Sequence, residues 1–189
     1  MNRIAKTWIV LCVFAFATTA AAEEDNQQRT SAYPAVPLAD ILDSVSQKTG
    51  QIFLVDHRAQ PEVVVGQPAV KDITYASLLV ILHNNGLAAV SVGDASSIIP
   101  AALVRTYALP VIHEDDDSIA EYEWVNRIVE IKNGPATQYV AILRPLLPQM
   151  AHLVADSSSN TILIAGRYGN TKRLIAIIKE MDKRTKPQR

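Results

Sequence analysis

The chain has 189 residues, with 18 Lys plus Arg against 19 Asp plus Glu, four His and one Cys. That length accommodates one domain or two small ones, and excludes a large multidomain enzyme or a porin-sized transmembrane barrel. With 49% apolar and 20% charged residues the composition is that of a globular protein, and a formal charge of −1 leaves no footprint for general nucleic-acid binding. Only 7 Gly argue against a glycine-rich cofactor loop or a β-solenoid.

Residues 1–22 read as a secretory signal peptide. Arg3 and Lys6 make a basic start, Trp8 to Ala17 an apolar run, and Ala20-Ala21-Ala22 a small-residue end before Glu23. The apolar run is shorter than the roughly 18–20 residues that a spanning helix needs, so cleavage is expected after Ala22. The only cysteine, Cys12, leaves with that segment, and Leu11 before it is too large for a lipoprotein signal. The mature chain, Glu23–Arg189, has 167 residues, no cysteine, and 16 basic against 19 acidic groups, a net of −3. Disulfides and thiolate chemistry are thereby excluded, and stability must come from packed cores.

Glu23 to Ala32 is polar and without period, and residues 23–35 are expected as a flexible leader. Leu38, Ile41, Leu42 and Val45 then share a helical face, with Pro37 at the start and Gly50 at the stop. Ile52 to Val55 is an apolar run long enough for a buried strand. Glu62 to Gly66, with three consecutive Val, reads as a second strand. Thr74 is an N-cap for a helix carrying Tyr75, Leu78, Leu79 and Leu82, ended by Asn84-Asn85-Gly86. Leu87 to Val92 and Ser97 to Ile99 flank Gly93-Asp94-Ala95 as a hairpin. This first unit is expected over 36–105.

Residues 106–123, with Pro110 and the run Glu114-Asp115-Asp116-Asp117, read as a linker whose start offers an edge strand to either side. The second unit, 124–184, opens with a strand from Val125 to Ile131. A helix with Ala136, Tyr139, Val140, Leu143 and Leu147 on one face follows, kinked or ended at Pro145. His152 to Ala155 and Thr161 to Ala165 are strands joined by Ser157-Ser158-Ser159-Asn160. A last helix turns Thr171, Leu174, Ile175 and Ile178 inward, with Lys179, Lys183 and Arg184 near its negative end. Residues 185–189 are a tail. Helices covering one face of each sheet give a small α+β domain, and the chain is α+β with two of them.

Residues carry a resemblance that spacing alone does not. Asn126 to Val129, Ala141 to Pro148, Leu153 to Asn160, Thr161 to Arg167 and Met181-Asp182 resemble the second periplasmic domain of bacterial secretins, most closely those of type II secretion. Leu143 to Leu146 matches the family's Leu-Arg-Pro-Leu helix end, and Ser157 to Asn160 its hairpin turn. Met181-Asp182 stands where the family has Leu-Asp or Val-Asp. The first unit resembles the preceding secretin domain, shared with signalling domains of TonB-dependent receptors, through Pro37 to Leu42, Lys48-Thr49-Gly50, Phe53 to Asp56, Leu78 to Leu82, Gly86-Leu87 and Ile98 to Pro100. The two cover Val36 to Asp182. A secretin continues into further domains and a pore, whereas this sequence stops seven residues after Asp182 and is not expected to form the pore itself.

The resemblance implies a KH-like fold for the second unit and a periplasmic, non-enzymatic component of a secretion system. Its partners would be secretin or inner-membrane secretion-system proteins, with homo-oligomer or ring association. Membrane contact would come only through partners. The alternative function is a periplasmic signalling module relaying to a membrane regulator.

No residue set suggests a cofactor, metal or catalytic site. His113 with Glu114 to Asp117 matches no metal loop and reads as a solvated acidic segment. His57, His83 and His152 are far apart in sequence. Ser157 to Ser159 lack a Gly-x-Ser-x-Gly elbow. Gly166-Arg167-Tyr168-Gly169 meets the bare Gly-x-x-Gly pattern of RNA-binding KH domains, but it joins a strand to the final helix, and the acidic exported chain argues against nucleic acid. The candidate partner-binding residues are Val63, Val64 and Val65, as an exposed strand edge or, equally well explained by three Val, a buried core strand.

Overall fold

The structure, a computed structural model, describes residues 33–66 and 68–185. The signal peptide with its cut after Ala22, residues 23–32 of the leader, and residues 186–189 of the tail lie outside the described residues.

The first half runs β1 (Ala35–Pro37), α1 (Leu38–Thr49), β2 (Ile52–Val55), β3 (Glu62–Val64), α2 (Tyr75–Asn84), β4 (Leu87–Val92) and β5 (Ala95–Pro100). Local chemistry sets the ends of its helices. Gly50 takes φ 72°, which a side chain would resist, and its N–H closes α1 on the Ser46 carbonyl at 2.8 Å. The Thr74 hydroxyl accepts the Ser77 N–H at 3.2 Å and caps α2. The apolar faces of both helices (Leu38, Ile41, Leu42 and Val45; Leu78, Leu79 and Leu82) form one core with Val63, Ile73, Ala89 and Ile98.

Two sheets contribute to that half. One pairs β1 with β3, antiparallel, and the other has the order β2-β5-β4, with β2 parallel and β4 antiparallel to β5. Strand β1 has no counterpart in the sequence reading, because three residues are too few to show a period of two.

Strand β2 corrects an expectation. It forms where the apolar run lies, but it is an edge strand and not a buried one: Ile52, Leu54 and Val55 remain 53%, 52% and 51% exposed. An apolar run reveals a strand but not which neighbours flank it.

The second half runs β6 (Trp124–Glu130), α3 (Ala136–Leu143), β7 (His152–Asp156), β8 (Thr161–Arg167) and α4 (Tyr168–Arg184), with an antiparallel sheet of order β6-β8-β7. Both helices lie over the face carrying Val129, Leu153, Ile162 and Ile164, meeting it with Tyr139, Leu143, Leu174 and Ile178. Pro145 acts as its chemistry requires: α3 stops at Leu143 and Arg144–Leu146 tightens into a 3-10 turn. The opposite face is uncovered where Ile128, Leu163 and Val154 stand side by side across the three strands, with Ile128 and Val154 exposed.

Between the halves, Leu109 to Ile112 lies parallel beside β6. The Ile112 N–H reaches the Asn126 carbonyl at 2.9 Å, and the Asn126 N–H reaches the Pro110 carbonyl at 2.8 Å. A third apolar cluster joins Ala88, Val90 and Ile99 of the first half to Leu109, Trp124 and Ala151. Burial of these side chains couples the halves by the same force that builds each core.

Candidate functional site

The three consecutive valines divide between core and surface. Val63 is 1% exposed and Val65 is 4%, while Val64 is 37% exposed. Val63 faces β1 in the ladder, so the outward edge of β3 at this point is the backbone of Val64. The side-chain amide of Asn85, just past the end of α2, holds that edge. Its Oδ1 accepts the Val64 N–H at 2.8 Å and its Nδ2 donates to the Val64 carbonyl at 3.0 Å. One asparagine thus does what a strand neighbour would do for this residue.

Strand β2 is the contrasting edge. The Asp56 N–H donates to the Ile98 carbonyl at 2.9 Å, so Leu54, two residues earlier, also turns its backbone to β5. Alternation then points the N–H and C=O groups of Phe53 and Val55 away from the sheet, and no described residue meets them. A shallow groove runs between β2 and α1, lined by Ala39, Leu42, Asp43 and Ser46 and by Ile52, Phe53 and Val55 of β2. Just past β2, Arg58 bonds both oxygens of Asp56, at 2.9 and 2.8 Å, and holds that carboxyl well below the usual range.

The remaining sequence candidates scatter. Among the described residues no three Asp, Glu, His or Cys side chains converge on a common point that could hold a metal. His113 and Glu114 are exposed. Their neighbours tether the acidic segment to the second half: Asp115 pairs with the buried Arg127 of β6 at 3.0 Å, and Asp117 pairs with Lys172 of α4 at 3.7 Å. Ser158 and Ser159 donate to the Asp156 carboxylate at 2.8 and 2.6 Å, closing the β7–β8 turn. Those bonds, from Ser159 first and Ser158 next, hold Asp156 down at about 2. Gly166 and Arg167 end β8 while Tyr168 and Gly169 begin α4, so the Gly-x-x-Gly pattern spans a strand-to-helix junction.

Of the histidines, His83 has a partner from the other half of the chain. Its Nδ1 lies 2.6 Å from Arg167 Nη2, and its ring centroid lies 5.4 Å from that of Tyr122. The Arg167 guanidinium in turn stands over the rings of Tyr122 and Trp124 at 5.4 and 5.5 Å. Burial lowers the His83 pKa first and the adjacent Arg167 charge lowers it further, so the neutral ring that accepts from Arg167 is favoured. Burial raises the pKa of the neighbouring Glu123. This junction fastens α2 to the end of β8, and offers no nucleophile to activate: no described serine or threonine hydroxyl is hydrogen-bonded to a histidine.

Two further residues organise the second half and escaped the sequence reading as anything beyond a motif end and a turn. The Asp182 carboxylate accepts the backbone N–H groups of Lys132, Asn133 and Gly134 at 2.9, 3.0 and 3.2 Å, and the Tyr139 hydroxyl at 3.2 Å. Burial pushes its pKa up, but those four donors outweigh burial and hold it below the usual carboxylate range. Asn160, at φ 51°, donates to the carbonyls of Ile131 and Gly134 and accepts the first helical N–H of α3, from Ala136, at 2.8 Å. The sequence signal for Asp182 was an acid in the last turn of α4, beside Lys183 and Arg184, where the helix dipole disfavours it.

No protein-family model matches the chain. Secretin XcpQ of Pseudomonas aeruginosa is 28% identical over 149 residues, which is 78% of this chain and 22% of that protein. A putative secretin GspD of Escherichia coli is 23% identical over 167 residues, 86% of this chain and 26% of that protein. The chain therefore spans about a quarter or less of the length of these curated relatives. Among solved structures, the Klebsiella pneumoniae type II secretion outer-membrane complex of PulD, PulS and the PulC HR domain matches with a TM-score of 0.64. The identity there is 22%, over 81% of this chain and 26% of that one, a likeness of fold. The chain is homologous to the N-terminal domains of type II secretion secretins.

Proposed function

We propose that this protein is a non-enzymatic periplasmic component of a protein secretion system that works by contacts with secretin or inner-membrane components. The observation that carries this reading is the 149-residue match to a secretin. The surfaces fit a role in assembly. One half leaves a strand edge open at β2, and the other leaves an apolar row, Ile128, Leu163 and Val154, on an uncovered sheet face. The related PulD occurs in a complex with PulS and the PulC HR domain, which supports partners of the same machine for this chain. Ring association would use the uncovered sheet face of the second half, and the valine run of Val63 and Val64 in β3 with Val65 just after it is a second partner-facing element at its exposed Val64. No described helix is long and apolar enough to cross a membrane, so membrane contact in this reading runs through partners.

The test is crosslinking of the tagged protein in its native periplasm, followed by identification of what it captures. Recovery of a secretin or an inner-membrane secretion component supports the reading. Recovery of only a membrane regulator, or of no specific protein, overturns it in favour of a signalling module.

A further inference from the structure

We infer that the open edge of β2 is a docking site for an extended, apolar and basic segment of a partner protein, which adds to the β2-β5-β4 sheet as a fourth strand. The inference rests on the reading of this protein as one that acts by protein–protein contact, and names where and what it binds.

Three features converge on β2. First, its outward backbone groups, on Phe53 and Val55, have no partner among the described residues, whereas Asn85 fills the equivalent groups of Val64 on β3. Second, Ile52, Leu54 and Val55 are each about half exposed, and no Lys or Pro interrupts the strand to discourage pairing. The apolar face to which Ile52 and Leu54 belong continues across Ala95 and Ser97 to Val90 and Ile99, where the second half already covers it. An added strand would extend a face that is half covered within the chain.

Third, charge selects the occupant. Asp43 lines the groove, and Asp40 lies one turn earlier on the same exposed side of α1. Arg58, just past the end of the strand, is already held by Asp56. A second copy docked edge to edge would bring its own Asp43 and Asp40 against these, a like-charge contact. A partner segment with apolar residues at alternate positions and a Lys or Arg opposite Asp43 meets both the edge and the charge. Main-chain hydrogen bonds would supply affinity and the alternate side chains specificity, as in other strand additions.

The test uses two blocked synthetic octapeptides that alternate Val and Thr and differ only in carrying two Lys or two Glu. With the full chain, the Lys peptide is expected to bind saturably and about fivefold more tightly than the Glu peptide, the scale of one exposed ion pair. Hydrogen exchange should slow at Phe53 and Val55 and not at Val64. Methylating the peptide's backbone nitrogens should abolish binding. Asp43→Lys, an exposed change that leaves the core untouched, should reverse the preference between the peptides. Val55→Pro, which removes an outward donor, should weaken both. Equal affinity of the two peptides, protection at another strand, or no saturable binding would overturn the proposal. Failure here with a secretin still captured in the periplasm removes only this docking site. Binding at β2 with no secretion component captured removes the secretion reading and leaves the edge.

Discussion

The helix ends of the first half and the β6–α3 loop of the second are held in different ways. In the first half each helix is bounded by a neighbour in sequence: Gly50 closes α1 from the next residue, and Thr74 caps α2 across three. In the second half the loop between β6 and α3 is gripped by two side chains from far along the chain. Asp182 reaches back 48 to 50 residues to three consecutive N–H groups, and Asn160 reaches back 24 to cap α3. Local caps cost little entropy to form and stabilise modestly. Distant polar clamps form only once the fold is in place, and removing one leaves several buried groups without partners.

The largest effect should come from breaking the Asp182 clamp. Asp182→Ala strands three backbone donors and leaves the Tyr139 hydroxyl only its contact with Thr185, and should cost about 3 kcal/mol in urea unfolding followed by the fluorescence of Trp124. After cleavage at Ala22, that residue would be the single tryptophan of the chain. A loss as small as that of a local cap would erase the contrast between the halves. Asn160→Ala should cost about 2 kcal/mol, since it removes the cap and strains a left-handed backbone. Asn160→Gly should recover a part of that, about 1 kcal/mol, by relieving the strain alone. Thr74→Ala in the first half should cost only about 1 kcal/mol.

Acid should separate the junction from the clamp. The folded-state pKa of His83 lies below its ordinary 6.5, so the stability tied to its neutral form is complete above that value and falls away as pH drops beneath it. His83→Gln should flatten this first limb of the stability–pH curve. The Asp182 pKa is also lowered, so its contribution is present above its ordinary 3.8 and is lost as pH falls through the folded-state value. Asp182→Asn should flatten only that second, more acidic limb. If both variants altered the same limb, the junction and the clamp would not be titrating separately. The smallest effect should be that of Leu54→Thr, within about 0.5 kcal/mol of wild type, because half of that side chain already meets solvent. A large loss there would mean that β2 belongs to the core after all.

Much of the architecture was legible in the sequence. The four helices announced themselves through apolar spacing, and most of the residues expected to face inward, from Leu38 to Ile178, are buried; Tyr75 and Val140 are only partly so, and Leu147 falls beyond the end of α3. The hairpins at Gly93-Asp94 and Ser157 to Asn160 followed from turn chemistry. The candidate surface was less legible. A run of valines pointed to an exposed edge or a buried strand; Val63 and Val65 lie in the core, while Val64 is partly exposed with its edge taken by Asn85. The run at Ile52 to Val55 read as buried and lies open.

The division has a physical cause. A helix satisfies its backbone within four residues, so its period, its caps and its inward face are written in consecutive positions, and the sequence by itself determined them here. The same holds for the net charge and for the homology carried by particular residues. A strand satisfies its backbone against residues that sequence distance does not limit. Whether β2 or β3 would present the free edge depended on where β5 and Asn85 arrive. The clamp of Asp182, over 43 to 50 positions, the latch of His83 on Arg167, over 84, and the third cluster around Trp124, across the two halves, likewise join distant residues, and only the tertiary structure decided them.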